Sequence, residues 1–151
     1  TRTVEPSPAP ALKLDLGDGR VIELMAWPVA HTNNDLTVSD PATATLFAGD
    51  LVYHDIHLVL AECQWQGWLD NLTALKGMGF DTIYPGHGTK TDMAVLDADA
   101  EYIKAVIPLM DAAATPADAK AAIKQKYAAY GSDYLLGFSV DNYFMNCKKA
   151  P

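Results

Sequence analysis

Tyr84-Pro85-Gly86-His87-Gly88 places one imidazole between two glycines, at the end of the short apolar run Asp81-Thr82-Ile83-Tyr84. A β-branched and aromatic run closed by Pro-Gly predicts a strand that stops at a sharp bend, with the imidazole displayed on it. The same device occurs twice upstream. Phe47-Ala48-Gly49-Asp50 delivers a carboxylate from an apolar strand through a glycine, and Trp27-Pro28-Val29-Ala30-His31 delivers an imidazole just after a strand closed by proline. Three strand ends that finish in His or Asp are expected to meet at one edge of a sheet, where loops held by a rigid scaffold bind and react. Two imidazoles and a carboxylate suit Zn²⁺ or a related divalent ion. The residues alone leave plainer readings open: Gly-His-Gly as a turn and Asp50 as a loop brace.

Outward from these points the first half of the chain reads as β. Leu12, Leu14 and Leu16 alternate with polar residues, Gly17-Asp18-Gly19 makes a turn, and Val21 to Trp27 forms the second arm of a hairpin. Leu36-Thr37-Val38 and Thr45-Leu46-Phe47-Ala48 flank the turn Ser39-Asp40-Pro41 and predict another antiparallel pair. Helical periodicity begins at Trp65 and runs through Trp68, Leu69, Leu72, Leu75 and Met78, with Gly77 and Gly79 as a stop. The Trp65/Trp68 pair is read as core. A long amphipathic helix is expected over about residues 91–113, with Pro108 kinking or ending it. Thr115-Pro116-Ala117-Asp118 opens a further helix running to about Tyr130, and residues 133–148 form the last. This order predicts an α/β (α+β) domain with a mixed sheet and helices on one face.

The 151 residues carry 19 acidic and 11 basic side chains, a net charge of −8, and half are apolar. That composition belongs to a folded chain, and it lacks the basic footprint of a nucleic-acid or anionic-membrane binder. Its interrupted apolar runs fall short of the roughly 20 residues that span a bilayer. A soluble protein of the cytoplasm or periplasm is expected. Cys63 and Cys147 are the only cysteines, too few for a disulfide framework, and their pairing is left open. Residues 1–11 (TRTVEPSPAPA) lack the apolar core and basic flank of a signal peptide and read as a linker or processed segment.

Ala30 to Asp35 (AHTNND), Phe47 to Tyr53 (FAGDLVY) and Tyr84 to Gly88 (YPGHG), in this order and with a Trp65–Met78 helix between the last two, resemble the C-terminal half of the metallo-β-lactamase-fold hydrolases. The resemblance runs from about residue 12 to 92. It implies that His31 and His87 are the later histidines of two metal sites and that Asp50 is the carboxylate shared between them. It implies supporting roles for Thr32 and Asp35, which would orient the ligand loop. It also implies a place for Tyr53 where some lactonases of this fold polarise a substrate oxygen. His54 and His57 fall in a loop that lines the substrate side.

The family's H-x-H-x-D-H run is missing, and the chain contains no H-x-H at all. The resemblance therefore implies residues 12–151 as one half of an αβ/βα sandwich, with the N-terminal half and its ligands supplied elsewhere. The expected activity is part of a zinc-dependent hydrolase that attacks an ester, thioester, lactone or amide through metal-bound hydroxide, one or two ions being held by the completed site. The isolated chain is expected to be inactive or weakly active and to hold the ions weakly or not at all. The alternative is a non-catalytic half-fold that self-associates or swaps strands into a dimer and keeps a vestigial metal site. Either way a sheet face bearing Leu12, Leu14, Leu16, Val21 and Phe47 needs a cover. That cover is the missing half or a second copy. A small-molecule substrate is expected, with no nucleic-acid or membrane partner.

Overall fold

The computed structural model describes residues 12–148, so the expected linker at 1–11 lies outside the described residues. Five strands lie side by side in chain order: β1 (Leu12–Gly17), β2 (Arg20–Pro28), β3 (Asn34–Asp40), β4 (Thr45–Tyr53) and β5 (Thr82–His87). The first four pair antiparallel, and β5 joins β4 in parallel. A parallel pair needs a crossover, and α1 (Trp65–Lys76) supplies it. Three further helices follow: α2 (Ala94–Ala112), α3 (Pro116–Lys126) and α4 (Asp133–Asn146). The mixed sheet with helices on one face is the architecture the residue pattern predicts.

The core lies between the sheet and α1 and α2. Met25, Trp27, Leu46, Ala48 and Ile83 point from the sheet into Trp68, Leu72, Leu75, Leu96, Ile103 and Val106. Period-2 alternation puts the other side of each strand on the open face. There Leu24, Val38, Phe47 and Tyr84 form one cross-strand row. Phe47 stacks on Tyr84 at 5.1 Å, yet Leu36 and Phe47 are each 48% exposed and Tyr84 is 43% exposed. The bare apolar face is therefore present. Val21 is not part of it: the hairpin pairs Asp15 with Val21 and Leu14 with Ile22, so Ile22 takes the outer position. A one-residue difference in register moves a side chain to the opposite face.

Three boundaries differ from the sequence reading. β4 continues past Ala48 through Asp50 to Tyr53, and β5 continues through Pro85 and Gly86 to His87. These two strands are mutual neighbours, and pairing carries both beyond their glycines. α2 has the expected extent and passes through Pro108 without ending. A mid-helix proline costs about 3 kcal/mol, which the burial of Val106, Ile107 and Met110 around it offsets. α3 ends at Lys126, not Tyr130, because the chain turns there to lay Tyr127 and Tyr130 against Tyr102. Its start is as expected: Thr115 and Asp118 form a reciprocal capping box ahead of the first turn.

Cys63, just before α1, is disulfide-bonded to Cys147 at the end of α4, closing a separation of 84 residues. Among the described residues no helix is long and apolar enough to cross a membrane.

Candidate metal centre

His31, Asp50 and His87 converge where β2, β4 and β5 end, at the carboxyl end of the parallel β4–β5 pair. Each comes into place for a local reason. The β4–β5 ladder is irregular: Gly49 pairs with Pro85 and Tyr53 with His87, so four steps along β4 answer two along β5. The extra residues bulge, and a bulge re-aims a side chain; here the Asp50 carboxylate turns toward the strand ends. Close approach of the backbones requires the glycines of the Pro-Gly-His-Gly turn. A β-carbon on Gly86 would stand 2.1 Å from Asp50 Oδ1, and one on Gly88 would stand 2.1 Å from the His54 carbonyl oxygen, at a φ of +99°. The His54 amide donates to the His87 carbonyl at 3.0 Å and holds the turn against β4.

The loop carrying His31 is braced from two sides. Asp35 accepts from the Thr32 amide at 3.0 Å and from the Thr32 hydroxyl at 2.9 Å, and the Thr32 hydroxyl accepts from the Asn34 amide at 3.2 Å. From α1, Asn71 donates to the Pro28 carbonyl at 2.7 Å, and Gln64, just ahead of the helix, donates to Asn33 at 2.8 Å. The His31 ring meets Trp68 edge-on at 5.5 Å.

His31 Nε2 lies 3.5 Å from Asp50 Oδ2, and His87 Nε2 lies 3.5 Å from Asp50 Oδ1. Two donors that share a tetrahedral Zn²⁺ at about 2.0–2.1 Å each stand about 3.3 Å apart. Each imidazole and the carboxylate oxygen facing it therefore have the spacing of two ligands to one ion, and Asp50 serves both sides. The set is open. Among the described residues no group of three or more His, Cys, Asp or Glu side chains is placed to hold a metal ion, and the buried Nδ1 of His31 has no hydrogen-bond partner. His31, Asp50 and His87 are the residues here that could contribute ligands to a divalent ion, and they do not complete a site by themselves.

Tyr53 forms the floor. Its ring stacks on His87 at 4.9 Å, and its buried hydroxyl has no partner. Burial, reinforced by the Asp50, Asp99 and Asp35 charges, pushes the phenol pKa well up, so the hydroxyl stays a neutral donor. Its backbone amide is fixed by the buried Asp99 of α2, which accepts at 2.9 Å. Burial raises the Asp99 carboxyl pKa well above its ordinary value, against the smaller opposing effect of that bond.

The other two histidines do not reach the cleft. His54 Nδ1 engages the Thr89 carbonyl at 3.0 Å and the Thr89 hydroxyl at 3.2 Å. His57 is 1% exposed, bonds the Tyr102 hydroxyl at 2.9 Å and packs against Tyr130, on the far side of the loop. Substrate-side lining is thus not where the structure puts them. Asp99 and Asn71 escape a motif reading altogether, although each left a trace: a polar residue inside an apolar helical stripe, beside Leu96 and Tyr102 in one case and Trp68 and Leu72 in the other.

Residues 7–87 of the chain, more than half of it, match the sequence model of the metallo-beta-lactamase superfamily. No curated protein matches the chain by sequence. Among solved structures, the metallo-beta-lactamase from Pontibacter korlensis is similar at a TM-score of 0.55 and 20% identity, over 62% of this chain and 45% of that one. The DIM-1 metallo-beta-lactamase is similar at a TM-score of 0.51 and 22% identity, over 62% and 45%. TMB-1 is similar at a TM-score of 0.51 and 19% identity, over 63% and 45%. The matched part of the chain thus spans a little under half the length of these structures. By sequence model, sheet order and helix placement together, the chain belongs to the metallo-beta-lactamase superfamily.

Proposed function

We propose that this chain supplies one edge of the metal site of a hydrolase acting on an ester, thioester, lactone or amide. The observation that carries the reading is the single carboxylate of Asp50, flanked at 3.5 Å on opposite oxygens by His31 and His87. Divalent zinc held there would supply an activated water at neutral pH and a Lewis acid for the carbonyl oxygen. The chain's own residues have distinct tasks around it. His31 and His87 would offer Nε2 and Asp50 one oxygen to each side, and Thr32 and Asp35 hold the loop that presents His31. Tyr53 is assigned the polarising of a substrate oxygen: its ring lines the cleft beside His87, and its buried hydroxyl has no partner within the described residues.

With two ligands per ion, the edge needs further donors, and the open sheet face supports a second body that brings them. The exposed apolar patch of Leu36, Phe47 and Tyr84 is a surface that solvent-facing strands do not normally carry. Its cover is a polypeptide carrying the complementary half of the fold. The same face supports the second reading, a self-associated half-fold with a weak metal clip. The Cys63–Cys147 disulfide favours an oxidising compartment such as the periplasm over the cytoplasm.

The test combines the chain with a polypeptide bearing the complementary half and Zn²⁺, and follows ester hydrolysis. The reading expects turnover only in the mixture, with a loss of at least a hundredfold in His87→Ala. A mixture that takes up no metal and turns over nothing refutes it.

A further inference from the structure

The cleft beside the ligand edge has a second wall that the metal reading does not use. It measures about 220 Å³, below the roughly 300–1,000 Å³ of sites that enclose a drug-sized ligand, so it takes a small group or one arm of a larger molecule. Its polar side is His31, Asp50 and His87, and its opposite side is Val59 with Tyr134, Leu135 and Phe138 of α4. Tyr134 and Phe138 are spaced i,i+4 and share a helix face. They are 78% and 47% exposed, while the far side of α4 buries Leu136, Val140 and Tyr143 in the core. Two large rings are thus held out of the core and turned to the site.

The wall is fixed in place. Ser139 of α4 accepts from the Leu60 amide at 2.8 Å, next to Val59, and the Cys63–Cys147 disulfide joins the same loop to the end of the helix. Its charge is also defined. Among the described residues no lysine or arginine lines the cleft. The cations that α3 brings toward α4 are engaged by carboxylates of α4 itself, Lys120 by Asp141 and Lys124 by Asp133. Among the described residues the wall has no cationic side chain for an anionic substrate arm, and it offers apolar, polarisable surface in its place.

We infer that α4 forms an acyl- or alcohol-side subsite for a neutral aromatic group, bound between Tyr134 and Phe138 next to the scissile bond. This rests on the metal-edge reading for its link to hydrolysis. The binding itself does not depend on metal, and that separates the two in experiment.

The chain is titrated with 2-acetylnaphthalene, a neutral aryl ketone that cannot be hydrolysed, with butanone and succinate as comparisons, while Zn²⁺ uptake is measured in parallel by calorimetry. The aryl ketone is expected to bind at least tenfold more tightly than butanone or succinate. Each of Tyr134→Ala and Phe138→Ala should weaken it about tenfold, with Zn²⁺ affinity changed less than twofold. Both rings are exposed, so neither change should unfold the chain. Cys63→Ser with Cys147→Ser should weaken aryl binding by loosening the wall, and His87→Ala should lower Zn²⁺ uptake while leaving aryl binding intact. Equal binding of aryl ketone and butanone overturns the inference, as does unchanged aryl binding in the Tyr134→Ala, Phe138→Ala double variant. A double variant whose only change is in sedimentation would assign the rings to a protein interface and overturn it too. Aryl binding with neither Zn²⁺ uptake nor turnover once the complementary half is added would keep the subsite and remove the hydrolase reading.

Discussion

At Gly86 the backbone passes so close to Asp50 that an added β-carbon would stand 2.1 Å from the carboxylate oxygen and 2.7 Å from the Gly49 carbonyl carbon. Gly86→Ala must therefore push β5 away from β4 or turn Asp50 out of the site. We expect a stability loss of about 1–3 kcal/mol in denaturant unfolding, together with loss of Zn²⁺ binding. Asp99 makes the opposite case. Its buried carboxyl is held well above its ordinary pKa, so folding favours its protonated form and ionisation opposes the fold as pH rises above the unfolded value of about 3.9. Asp99→Asn keeps an acceptor for the Tyr53 amide and removes that cost, so its melting temperature at pH 8 should equal or exceed that of the unmodified chain. Asp99→Ala leaves the amide unpaired and should lose about 1–3 kcal/mol. His31, Asp50 and His87 were legible because each sits within a few residues of a strand end and a glycine or proline. Asp99 was not, since the amide it serves is 46 residues away.

Among the elements, α4 depends most on long-range ties. The disulfide that holds it spans 84 residues, and loop-closure entropy for that length gives about 4–5 kcal/mol of stabilisation. A reductant, or Cys63→Ser, should shift the denaturant midpoint down by a corresponding amount. The loop after β4 carries a pH dependence of its own. Burial lowers the pKa of His57 despite the opposing Asp133 charge, with Lys124 adding to the lowering, while the Tyr102 hydroxyl and the Tyr130 ring face it. The neutral imidazole is therefore the folded form. Its contribution is complete above the unfolded pKa of about 6.5 and is lost as pH falls from there toward the lowered folded value. Melting temperature should decline between pH 7 and 5, and His57→Gln should flatten that decline. Periodicity located every helix, since each buries a 3.6-residue stripe. It misplaced the end of α3 because packing in the Tyr102–Tyr127–Tyr130 cluster decided it.

Across the whole molecule, the helices cover one face of the sheet and leave the other apolar. Strand alternation predicted that face from the sequence, and its one error, Val21 for Ile22, arose because the turn geometry sets hairpin register. Phe47→Glu should weaken association with the complementary half at least tenfold by calorimetry and leave Zn²⁺ binding by the isolated chain unaltered, because Phe47 lies on the outer face. Whether the strand ends form a metal edge is tested most directly by titrating Zn²⁺, by calorimetry, into the chain joined with the complementary half and into the same mixture made with Asp50→Ala. Asp50 stands at 3.5 Å from both imidazoles, so the account predicts uptake by the unmodified mixture, a partial loss in His31→Ala or His87→Ala, none in His54→Ala, and the largest loss in Asp50→Ala. No uptake by the unmodified mixture, or uptake that Asp50→Ala leaves unchanged, would contradict it.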